Sequence, residues 1–75
     1  MTMTLRDCQP GADVVLRRVA ETCSRRRLAE WGLVPGAPVR LVARGPAGGL
    51  ILALGDTRIA LDSRTADTVL VEPAR

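Results

Sequence analysis

The stretch "SRRRLAEWGLVPG" (residues 24–36) gathers the side chains with most to offer chemically: Arg25, Arg26 and Arg27 in a row, then Trp31, the one aromatic residue of the chain. Guanidinium groups are permanent cations whose forked donors match carboxylates and phosphates. Tryptophan is enriched at the energetic centres of protein interfaces. This is equipment for binding, and it lacks a proton-transfer group. The sequence has no His, so the commonest general base and transition-metal ligand is missing. Cys8 and Cys23 form no CxxC pair, and the eight carboxylates are scattered without a metal-ligand spacing. No nucleophile–base pair and no phosphate loop is present. The chain reads as a binding module and not an enzyme, with no cofactor and no metal site.

Composition narrows the partners. All eleven basic residues are Arg and the net charge is +3, which permits an anionic partner without requiring one. Single-stranded nucleic acid and proline-rich peptides both call for aromatic platforms that Trp31 alone does not supply. No nucleic-acid partner is therefore expected. The two thiols read as reduced, cytosolic and buried, and the start "MTMTLRDCQP" carries no export signal. The longest apolar run, "GGLILALG", falls far short of the ~18 residues of a membrane span. A cytoplasmic location is expected.

The elements that must position these groups follow from turn chemistry and alternation. Residues 1–75 read as a single domain, near the lower size limit for unaided folding. "LRDCQPG" ends in a Pro10-Gly11 turn, with Leu5 and Cys8 buried. "ADVVLRRVA" reads as a strand with Val15, Arg17 and Val19 on one side and Val14, Leu16 and Arg18 on the other. Ser24 is the expected N-cap of a short helix, which would set the three arginines against the partial positive charge of its first turn. Gly32 suits the left-handed C′ position, pairing Leu28 with Leu33 across the cap. Pro35-Gly36 suits a type II turn.

Further strands are expected at "PVRLVAR", with Val39 and Leu41 inward and Arg40 outward, and at "LILAL", apolar as in a strand covered on both faces. Gly55-Asp56 reads as a two-residue hairpin into "TRIALD". "SRTAD" is expected to form one helical turn and "TVLVEP" the closing strand. About five short strands and one brief helix point to a mostly β, strongly bent barrel. Its edge strands leave pairing between copies open.

Three features carry a resemblance. Leu5, Cys8 and Gly11 form an L-x-x-C-x-x-G pattern. Trp31-Gly32-Leu33-Val34-Pro35-Gly36 ends the helix. Ile59, Ala60 and Leu61 precede a short turn containing Ala66. In this order and spacing the chain resembles the FeoA family across nearly its whole length. The resemblance implies an SH3-like barrel with a helix inserted after the first strand. It also implies a small cytosolic protein of bacterial ferrous iron uptake, working beside the transporter FeoB and its GTP-binding domain. The same fold occurs in iron-dependent repressors, and this chain, without DNA-binding helices, looks like the free-standing form. Trp31 stands where the family usually has Leu, and Asp62 where relatives often have Arg.

The arginine triplet admits a solvated face, an electrostatic docking surface, or an anion site at the helix start. Trp31 admits a core position over Leu28 and Leu33, or a partly exposed anchor. Leu33, Val34 and Pro35 either seal the barrel end or form an apolar knob beside the arginines. The expected function is docking to the FeoB-type transporter, with Arg25, Arg26 and Arg27 steering and Trp31, Leu33, Val34 and Pro35 anchoring. A nucleic-acid-associated basic barrel and a metal-responsive sensor are the alternatives.

Overall fold

In the computed structural model, which describes residues 3–74, six antiparallel strands form one sheet. The strands are β1 (Met3–Thr4), β2 (Asp13–Val19), β3 (Pro38–Arg44), β4 (Leu50–Leu54), β5 (Thr57–Leu61) and β6 (Val69–Pro73). Their order is β1-β6-β2-β3-β4-β5, so the chain closes by laying β6 between β1 and β2. Helix α1 (Thr22–Glu30) follows β2, the first strand of full length, and the short α2 (Ser63–Ala66) leads into β6. The mostly β architecture with one inserted helix is the one expected. The sixth strand is the two-residue β1, too short to show as a pattern in sequence.

The interior is aliphatic. Leu16, Leu41, Leu52, Val69 and Val71 are fully buried, Leu5 and Cys8 join them, and no polar side chain of the described residues is buried. Two bulges decide which residues face it. Leu16 pairs with Val71 and Arg18 with Leu70, so Arg17 is an extra residue in β2. The bulge resets the alternation. Leu16 and Val19 therefore both point inward while Arg17 and Arg18 both stay exposed, which corrects the face assignment made from strict alternation. A second bulge between Leu41 and Ala43 leaves Val42 unpaired and exposed.

Strand β4 departs from expectation. Its apolar run suggested cover on both faces, yet Ile51 is 41% exposed. The inward side chains are Leu50 and Leu52, and Ile51 lies on the outer, solvent-exposed face. The β4–β5 hairpin is as expected: Leu54 pairs with Thr57, and Gly55 takes φ +62°. A positive φ at the first central position only is the type II′ geometry.

Candidate functional site

Helix α1 begins three residues earlier than expected. Its N-cap is Glu21, whose Oε1 accepts the Ser24 amide at 2.7 Å, so Ser24 is the third helical residue and not the cap. Glu is an unusual capping residue, which is why the sequence pointed to Ser24 instead. That hydrogen bond holds the Glu21 carboxyl below its ordinary value. The shift in start moves the arginines out of the first turn. Arg27 lies in the last turn, where a cation is favoured by the helix dipole. The supposed electrostatic conflict does not exist.

The helix ends as the sequence indicates. Gly32, at φ +92°, donates its amide to the Ala29 carbonyl, and Leu33 donates to Leu28, each at 3.0 Å. This is the pair of bonds of a Schellman cap, with Leu28 and Leu33 in hydrophobic contact positions. Val34 then accepts the Ala37 amide at 3.0 Å across Pro35-Gly36, with Gly36 at φ +92°. That is the type II turn.

The seven residues expected to form one surface are divided by this geometry. Leu33 is buried at 1% exposure and belongs to the core, so it is removed from the surface. Arg25 reaches back along one flank of α1, donating Nε and Nη2 to the Val19 carbonyl at 3.3 and 3.2 Å. It shares a cleft there with Arg18, Val34 and Pro35. Arg27 and Trp31, one turn apart, border the opposite flank with Ala60 and Asp62. Arg26 is exposed beside Cys23, lining a shallow surface with Arg25 and Ala29.

Trp31 is the C-cap residue and is 45% exposed, so it is not a core residue over Leu28 and Leu33. Its ring borders a cleft of about 470 Å³ with Thr57, Arg58, Ile59 and Ala60. Cys23 also differs from expectation: it is free and exposed on α1, whereas Cys8 is free and buried. Burial pushes the Cys8 thiol up, with Asp7 adding to the effect.

Two groups near the site were missed. Asp62 caps α2 by accepting the Thr65 amide at 2.7 Å, and that bond holds its carboxyl below the ordinary range. Its position before Ser63-Arg64-Thr65 was the available signal. Arg58 lines the Trp31 cleft and also a second one with Asp13 and Arg40, and only the tertiary arrangement brings β5 beside α1. Among the described residues no three His, Cys, Asp or Glu side chains gather as a metal-binding group, and no helix is long and apolar enough to cross a membrane.

Comparison with known proteins decides the family. The model of the FeoA domain matches residues 3–73, essentially the whole described fold. The chain belongs to the FeoA family. Among solved structures it resembles zinc-complexed FeoA of Stenotrophomonas maltophilia, described as a procaryotic SH3 domain protein, at 39% identity and TM-score 0.78, covering 93% of this chain and 89% of that one. FeoA of Chlorobium tepidum superposes at TM-score 0.89 with 25% identity, over 97% of this chain and 71% of that one. A manganese-dependent transcriptional repressor shares the fold at TM-score 0.85 and 24% identity; the match takes in 96% of this chain and 41% of the repressor. No curated protein sequence gives a significant match. The FeoA barrel expected from the sequence is thus the fold observed.

Proposed function

We propose that this FeoA-family chain is a small cytoplasmic accessory protein of bacterial ferrous iron uptake that docks to the FeoB-type transporter, at or beside its GTP-binding domain. The observation that supports docking is Trp31. Trp31 is a large amphipathic side chain left 45% exposed, and tryptophan is among the residue types enriched at interface hot spots. Arg27 lies on the same flank and Arg26 on the solvent face, and neither forms an ion pair among the described residues. Such free cations raise the association rate with an acidic surface more than the final affinity. The wider family supports the transport context: the Stenotrophomonas relative is described as a candidate ferrous iron transport activating factor.

The test is an anaerobic binding titration against the GTP-binding domain of the transporter from the same organism, with and without a GTP analogue. Trp31→Ala is expected to weaken binding by about 2 kcal/mol, roughly thirtyfold. Arg26→Glu with Arg27→Glu is expected to slow association and flatten its salt dependence. Binding untouched by either variant would place the contact elsewhere on the barrel. Absence of binding to both this domain and the full-length transporter would remove the docking reading.

A further inference from the structure

The β4–β5 turn fixes which backbone groups of β5 are used. In a turn of this kind the carbonyl of Leu54 faces the amide of Thr57. Thr57, Ile59 and Leu61 then take the hydrogen-bonding positions toward β4, and Arg58 and Ala60 turn their N–H and C=O groups to the opposite edge. Strand β5 ends the sheet. Among the described residues no backbone hydrogen bond from outside the ladder reaches Arg58 or Ala60. The five pairs with β4 run without a bulge, so the edge is regular and lacks one of the usual devices that disable an edge strand.

That edge borders the Trp31 cleft of about 470 Å³. Past Ala60 the cleft meets a narrower one of about 130 Å³, bordered by Arg27, Leu28 and Asp62. Arg27 and Arg58 have no ion pair among the described residues. The Asp62 carboxylate is already engaged by the Thr65 amide. The walls therefore present the Arg58 guanidinium, the Arg27 guanidinium beside Asp62, the Trp31 side chain and the unused backbone donors and acceptors of Arg58 and Ala60.

We propose that the free edge of β5 receives an extended, acidic segment of a partner protein, which adds as a further strand along Arg58 and Ala60. The proposal rests on the docking reading above and specifies its mode. Backbone pairing supplies affinity, and alternate side chains supply specificity. Apolar residues of the segment lie against Trp31, and carboxylates meet Arg27 and Arg58. A second copy of this chain is disfavoured as occupant, because pairing two β5 edges would bring Arg27 and Arg58 of both copies together.

The test uses the full chain and a seven-residue peptide alternating valine with aspartate or glutamate. The same peptide with lysine in place of the acids is the control. Trp31, the one aromatic residue, makes intrinsic fluorescence a local reporter of the groove. The acidic peptide is expected to give a saturable blue shift and to slow amide exchange at Arg58 and Ala60; the lysine peptide is expected to give neither. Arg58→Glu is expected to weaken the peptide about tenfold or more. Ala60→Pro removes only an outward N–H, which an edge strand tolerates. It is expected to abolish peptide binding while cooperative thermal unfolding persists.

No effect of the peptide on Trp31, perturbation mapping to Arg18 and Val34 instead, or concentration-dependent protection of Arg58 without peptide would each overturn the proposal. The transporter titration separates the two readings. Transporter binding that survives both Arg58→Glu and Ala60→Pro refutes the groove and keeps docking. Peptide binding without transporter binding keeps the groove and refutes docking to that partner.

Discussion

The amide of Leu33 donates to the carbonyl of Leu28 at 3.0 Å, and both side chains are 1% exposed. The bond closes the end of α1 between two core residues, with Trp31 as the C-cap residue between them. Gly32, between them, has φ +92°, and a Cβ added there would stand 3.0 Å from Leu54 Cδ2. Gly32→Ala meets both left-handed strain and a crowded core neighbour, so a loss of about 1–2 kcal/mol is expected in denaturant unfolding. Leu28→Ala should cost more, about 2–5 kcal/mol, by opening a cavity. Trp31 emission should shift red in both variants before global unfolding.

The neighbouring arginines of α1 should behave differently on truncation. Arg25 donates twice to the Val19 carbonyl, tying the helix to the end of β2. Arg25→Ala is expected to destabilise by about 1 kcal/mol. Arg26→Ala touches no such partner and should stay within about 0.5 kcal/mol of the parent. Equal losses would mean that the tether contributes nothing in solution.

Acid should destabilise the fold through three exposed carboxylates. Asp13 is held below its ordinary value of 3.8 by hydrogen bonding to Arg40, Asp62 below the same value by Thr65, and Glu21 below 4.5 by Ser24. A folded-state value below the unfolded one stabilises at higher pH. The contribution is complete above the ordinary values and is lost as pH falls through the lowered ones. Denaturation midpoints should therefore be flat near neutrality and fall below about pH 5. Asp62→Asn keeps a capping oxygen without a titrating group, so it should lessen the acid dependence while preserving α2.

The two thiols should separate cleanly under alkylation. Cys23 is exposed and Cys8 buried with its thiol pushed up. One equivalent should react under native conditions at neutral pH, and the second only with unfolding. The Cys8 thiol favours its neutral form in the fold, so above its ordinary value of 9.0 ionisation favours the unfolded chain. Stability should decline there in the parent and less in Cys8→Ala, after allowance for that variant's own packing loss.

Local chemistry alone accounts for the Gly32 cap with its Leu28–Leu33 pair, the Pro35-Gly36 turn, the Gly55-Asp56 hairpin and the burial of Leu5 and Cys8. Each depends on conformations that only certain residue types adopt, or on neighbours a few positions apart. Long-range packing sets the rest. The bulge at Arg17 set the core face of β2, because strand pairing overrides strict alternation. The open outer face at Ile51 could not be read from an apolar run, since exposure depends on what packs above it. The expected surface came apart for the same reason: Leu33 turned inward, Arg25 and Arg27 took opposite flanks, and Arg58 arrived beside Trp31 from a distant strand. Local propensity places a residue on an element, but which residues share a groove depends on contacts between segments far apart in the chain.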